Sequence, residues 1–257
     1  MMNRKSLVAV IAGLVGLLTG CVAPSQETAQ GSNVVVPERQ GRSDGLWTDS
    51  FMTETCTFSP TGSNPYFILQ PGYQLVFDGK DKKDIIHLII TVLDETKDFA
   101  DIKTRVVEER ETKNGKLAEI SRNYFAICER TNSVFYFGED ADFYDGNGNI
   151  VNHDGSWQHG VNGARFGLQM PGIILLGARS YQEIAPGVAL DRAEILSMTQ
   201  IIQTPAGKFE NALQIEETTL LKKRDIAEKF YASGIGLIKA VDKKEVLELT
   251  EFGFVKK

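Results

Sequence analysis

Carboxylates and histidines are the residues of this chain whose spacing could do chemistry. Asp140, Asp142, Asp145, Asn147 and Asn149 offer oxygen ligands at near-alternate positions, as a calcium loop does. Ile150 stands where such a loop needs glycine and no glutamate closes it. Asp145-Gly146-Asn147-Gly148-Asn149 therefore reads as a hairpin turn, built from residues that accept positive φ. His153 and His159 flank Asp154, but their spacing matches no zinc arrangement. His87 lies in an apolar run and reads as a core histidine. Glu108-Glu109, Glu111 and Glu216-Glu217 supply carboxylates, yet neighbours on a strand point to opposite faces and are expected on solvated surfaces. A hydrolase built on Glu139 and Asp140 would need two carboxyl groups converging at roughly 5 to 9.5 Å. No Gly-x-Ser-x-Gly elbow is present, and no glycine-rich loop opens a helix. The chain is expected to be non-catalytic, with neither metal nor cofactor.

The cysteines carry the clearest chemistry. Arg4 and Lys5 precede an apolar run from Leu7 to Leu18, which ends in Leu18-Thr19-Gly20-Cys21. A basic start, a short apolar stretch and small residues before a cut describe a secretory signal peptide. Twelve apolar positions fall short of the roughly 20 that a membrane-crossing helix needs. The four closing residues resemble a bacterial lipobox, in which the cysteine is acylated and becomes the new N-terminus. Cys21 is thus the expected lipid attachment site and the chain's link to a membrane. In the resemblance to proteobacterial lipoproteins, Val22 in place of Asp implies the outer membrane, on its periplasmic face. Cys56 and Cys128 remain, either as a disulfide suited to an oxidising compartment or as two buried thiols.

Residues 1–20 form the signal segment and 21–45 a tether rich in Ser, Gln, Gly and Asn, with Val34-Val35-Val36 as a candidate edge strand. Residues 46–257 form one β-rich domain. Removing Arg4 and Lys5 with the signal takes the formal charge from −6 to −8, which argues against nucleic-acid partners and anionic membrane surfaces.

The elements that must position any site are strands. Asp84–Leu93 is continuously apolar and is expected to be buried on both faces. Asn114-Gly115 is a strong two-residue hairpin signal between Ile102–Thr112 and Lys116–Cys128, placing Arg110 opposite Glu119 and Val107 opposite Arg122. Arg192–Gln203 and Glu210–Leu220 flank Thr204-Pro205-Ala206-Gly207-Lys208, and Ile226–Tyr231, Ile235–Val241 and Glu245–Glu251 follow as a meander. The pattern predicts a mainly β chain with little helix: a curved antiparallel sheet forming a half-open barrel or a sandwich. Gly155–Leu190, with seven glycines and two prolines, interrupts the rhythm and is expected to act as a lid or partner surface.

Several stretches together resemble a family of bacterial envelope proteins, often lipoproteins, with no assigned activity. They include Gln70-Pro71-Gly72-Tyr73, Thr104-Arg105-Val106-Val107-Glu108-Glu109, Ser121-Arg122-Asn123-Tyr124-Phe125-Ala126, Gly155-Ser156-Trp157, Ala185-Pro186-Gly187-Val188 and Glu216-Glu217-Thr218-Thr219. Thr204-Pro205-Ala206-Gly207-Lys208-Phe209 and Tyr231-Ala232-Ser233-Gly234-Ile235-Gly236 are also similar to periplasmic β-proteins related in fold to the lipoprotein carriers of the Lol pathway. Ser233 stands where that pattern has proline. The likeness implies an open barrel with a concave apolar face. An apolar or amphiphilic small molecule is the expected partner, with Trp157, Phe166, Met170, Tyr124 and Phe125 as its contacts. The alternative is an assembly role in which the domain docks an envelope protein.

Overall fold

The computed structural model describes residues 46–222, 225–242 and 245–255. Cys21, the signal segment and the tether with Val34–Val36 lie outside the described residues.

Among the described residues, alternating side chains and tight turns produce eighteen strands and one 3-10 turn, Thr53–Thr55. The strands are β1 (Phe58–Ser59), β2 (Gly62–Asn64), β3 (Phe67–Leu69), β4 (Tyr73–Asp81), β5 (Asp84–Phe99) and β6 (Ile102–Lys113). Next come β7 (Lys116–Cys128), β8 (Ser133–Tyr144), β9 (Ile150–Asn152), β10 (Trp157–Gln158), β11 (Arg165–Met170) and β12 (Arg179–Tyr181). The last are β13 (Glu183–Ile184), β14 (Asp191–Thr204), β15 (Gly207–Thr219), β16 (Ile226–Ala232), β17 (Gly236–Asp242) and β18 (Glu245–Phe254). One antiparallel sheet runs β12-β14-β15-β16-β17-β18-β4-β5-β6-β7-β8-β11-β13.

The two ends of that path are halves of one extended segment, Arg179 to Ile184, interrupted only at Gln182. Its first half bonds to β14 and its second to β11, so the sheet all but closes into a barrel with a single seam. Closure removes the free strand edges that otherwise invite aggregation. Thr48 covers what is left of the edge: its N–H donates to Arg179 O at 3.1 Å, and Tyr181 N–H donates to Thr48 O at 2.9 Å. The expected sheet architecture is therefore present as a nearly closed barrel.

Gly155–Leu190 is not a lid. It contributes β10 to β13 and so builds the last staves and the seam. Its glycines admit close backbone approach. A Cβ on Gly167 would lie 2.5 Å from Gln182 O, and one on Gly172 would lie 1.8 Å from Thr131 O.

Three expectations are corrected. β5 is buried on one face only: Ile86, Leu88, Ile90 and Val92 point inward while Ile85 is 60% exposed. His87 lies on the outer face, its ring Nδ1 2.7 Å from Asp78 Oδ1, and is not a core residue. The Asn114-Gly115 turn forms with both residues at positive φ, but Ala118 bulges, so Arg110 pairs with Ile120 and Glu108 with Arg122. The bulge sets Glu111 opposite Glu119. Asp145 anchors its turn by accepting the Asn147 and Asn149 N–H groups at 2.8 and 2.9 Å.

β4 and β18 also approach closely along their ladder. A Cβ on Gly79 would lie 2.2 Å from the Val246 carbonyl oxygen. Gly79→Ala is expected to destabilise the fold by about 1–3 kcal/mol in urea titration, because the ladder itself must part. An unchanged midpoint would show that this strand pair is loose.

Candidate ligand site

The barrel interior is divided by chemistry. β4, β5, β15, β17 and β18 fill one side with Leu75, Phe77, Ile86, Leu88, Leu213, Ile238, Leu247 and Leu249. β6, β7 and β8 carry the same inward alternation through Val107, Phe125 and Tyr136, but continue it with Glu109, Ser121, Asn123 and Glu139. Glu183 of β13, Asp191 of β14, Glu217 of β15 and Lys229 of β16 complete an acidic cluster. The expectation that these carboxylates lie on solvated faces is therefore wrong for Glu109 and Glu111, which are fully buried, and for Glu216, which is 8% exposed. Glu108 and Glu217 are partly buried, Glu217 against Lys229.

Hydrogen bonds satisfy part of this cluster. Lys229 Nζ pairs with Glu217 Oε2, and Gln182 Nε2 donates to Glu217 Oε1 at 2.8 Å. Asp191 N–H donates to Glu183 Oε1 at 2.9 Å, and Tyr136 OH donates to Asn123 Oδ1 at 2.6 Å. Both oxygens of Glu109, Oε2 of Glu183 and Oδ1 of Asp191 have no protein donor. Charge here is expensive, so the acids shift towards the neutral form. Burial, then the neighbouring Asp191 charge, pushes Glu139 up to about 8. Burial, then Glu139, raises Glu109 well above the usual carboxylate range. Burial, then Asp191, does the same for Glu183. No three His, Cys, Asp or Glu side chains among the described residues are grouped as a metal ion requires.

A surface crevice of about 320 Å³ opens beside this cluster. Its floor is Trp157, and its walls are Val161, Ala164, Ala185, Pro186 and Val188, with Asp140, Ser156, Gln158 and Asn162 at the polar rim. β10 places Trp157 as the register partner of Glu139 on β8, and its ring meets Tyr136 edge-on at 5.1 Å. Trp157 thus stands between crevice and lumen, and its indole N–H is buried without an acceptor. Asp140 is tied down, accepting from Tyr124 OH at 2.5 Å, Lys97 Nζ at 3.0 Å and Gln158 Nε2 at 2.8 Å. Although burial opposes it, these bonds together hold the Asp140 carboxyl below its ordinary range. Glu139 and Asp140 lie on opposite faces of β8 and do not converge.

A second, apolar cleft lies among Tyr66, Phe67, Tyr73, Ile90, Val92 and Tyr231. It holds only about 40 Å³, the space of a few water molecules.

The five expected contact residues do not share one pocket. Trp157, Phe125 and Met170 point into the barrel, where Phe125 stacks on Tyr136 at 4.8 Å. Tyr124 and Phe166 belong to a separate cluster on the outer face of β6 to β8, with Phe99, Phe135 and Phe137. Phe51 and Phe58 cover that cluster, and the Cys56–Cys128 disulfide joins the covering segment to β7. Of the five, only Trp157 lines the crevice. The buried acids escaped sequence reasoning because alternation separates two faces without saying which faces the lumen. The repeated inward triplet Val107-x-Glu109-x-Glu111 was the available signal.

No family model matches the sequence. No curated protein matches it. One solved structure, described as a "putative lipoprotein" from Parabacteroides distasonis, aligns with 14% identity and a TM-score of 0.37. The alignment covers 72% of this chain and 96% of that one.

Proposed function

We propose that this chain is a lipid-anchored envelope protein, acylated at Cys21 and held on the periplasmic side of the outer membrane, whose barrel binds a small amphiphilic molecule without catalysis. The observation that carries the binding half is the crevice floored by Trp157. At about 320 Å³ it sits at the lower end of the roughly 300–1,000 Å³ typical of small-molecule sites. Apolar walls and a polar rim suit a ligand with one apolar and one hydrogen-bonding end. Ser156 and Asn162 at the rim offer the hydrogen-bonding groups that the polar end of such a ligand would take. Ionised Asp140 at the rim disfavours an anionic head. The anchor half rests on Leu18-Thr19-Gly20-Cys21 behind its apolar run.

The chain has two tryptophans, so Trp47→Phe leaves Trp157 as the sole reporter. In that background decanol is expected to shift Trp157 emission saturably, decanoate to do so more weakly, and Val188→Glu to weaken decanol binding roughly tenfold, about 1.4 kcal/mol. Val188 is partly exposed, so this change tests the wall without cutting the core. No saturable response to decanol, decanoate or decylamine, or an unaffected Val188→Glu variant, would overturn the assignment.

A further inference from the structure

The connection between β11 and β12 is unusually apolar for a surface loop. Pro171-Gly172-Ile173-Ile174-Leu175-Leu176-Gly177-Ala178 contains no charged residue. Ile173 is 76% exposed, and Leu175 and Leu176 are each 64% exposed, while Ile174 turns back onto the core. Contiguous apolar exposure of this kind marks a contact surface. The loop is also well fastened at its base: Gly177 N–H donates to Ile195 O at 2.8 Å and Ala178 N–H to Leu175 O at 3.1 Å.

The position of the chain's entry says what lies opposite. Thr48 bridges Ser180 in parallel. Going back from Thr48 towards lower numbers therefore runs alongside Ser180 back towards Leu176. Leu46, fully exposed, is the first described residue and lies level with the loop's base. The described chain thus begins beside the base of the Ile173–Leu176 loop. The opposite rim is mixed. Its turns carry Lys82 and Lys83, Lys113 and Lys116, with Asp81 and Asp84 alongside, and the exposed apolar residues there, such as Ile85, Leu220 and Leu221, are interspersed with these charges.

We propose that the Ile173–Leu176 loop is a second membrane contact: with Cys21 acylated, it enters the interfacial zone of the same phospholipid leaflet and holds the seam end of the barrel against it. This rests on the lipid-anchored reading above. Acylation at Cys21 confines the barrel to the leaflet, and burial of the loop's apolar side chains fixes which end of it faces the lipid, so the loop and the anchor act together.

The test uses the full chain in its native envelope, with a benzophenone amino acid at Leu175 or, as control on the opposite rim, at Ile85. Irradiation is expected to give phospholipid adducts at position 175 in roughly tenfold excess over position 85. Mass measurement of the Cys21 peptide in the same sample reads the anchor separately. Acylated Cys21 with no lipid adduct at 175, or with a discrete protein adduct there, overturns the loop contact and leaves the anchor standing. A Cys21 peptide without acyl mass overturns the anchored reading and the loop proposal with it.

Discussion

The melting temperature of this protein falls by about 10 °C between about pH 5 and about pH 9, and Glu139→Gln removes much of that fall. The cause is the acidic cluster inside the barrel. A carboxyl whose folded pKa is raised supports the fold while protonated. Its contribution is complete below the unfolded value of 4.5 and is lost as the pH climbs through about 8. At roughly 1.4 kcal/mol per unit, Glu139 alone accounts for on the order of 4 kcal/mol. For a chain of this size each kcal/mol moves the midpoint by about 2–4 °C. Glu109 and Glu183 shift the same way and deepen the slope. Asp145 works in the opposite direction, held down to about 2 first by its bond from the Asn149 side chain, and it supports the fold only as the pH rises. Stability therefore peaks near pH 5. Glu139→Gln keeps the volume and removes the charge, so the variant should exceed the native chain at alkaline pH. Glu210→Gln, at an exposed pair with Lys208, should follow the native curve. Native and Glu139→Gln curves that run parallel would sink this account.

Replacing Cys56 and Cys128 by alanine lowers stability by about 4 kcal/mol and the melting temperature by roughly 10 °C. The bridge spans 72 positions, and closing a loop of that length removes substantial entropy from the unfolded chain. Its local effect follows from what it clamps. Phe58 pairs in register with Cys128, and Phe51 and Phe58 meet Phe135 edge-on, each at 5.7 Å. Without the bridge, amide exchange in residues 51–59 should accelerate before that of β14 to β18, because the covering segment can lift from a barrel that remains closed. Identical melting temperatures with and without the disulfide would overturn the first claim, and uniform acceleration of exchange the second.

The strands themselves were legible. Asn114-Gly115 forms its hairpin because both residues accept positive φ, and Pro205-Ala206 links β14 to β15 as a tight turn with Thr204 opposite Gly207. The C-terminal meander falls where alternation puts it. Register was less legible, since the bulge at Ala118 leaves no mark in a pattern of period two, yet it decides that Glu108 rather than Val107 meets Arg122.

What the sequence determined by itself is local: strands separated by glycine and asparagine turns, and two distinct faces on every strand. Backbone sterics and the two-residue side-chain period act within a few positions, so composition and spacing carry them. The tertiary structure alone decided which face became the lumen, that Gly155–Leu190 closes the barrel, and that Glu109, Glu139, Glu183, Asp191 and Glu217 share one interior. It also decided that Cys56 reaches Cys128. These pairings join residues far apart in the chain. They are set by barrel closure, which brings β6 to β8 face to face with β13 to β16 without either group signalling its partner.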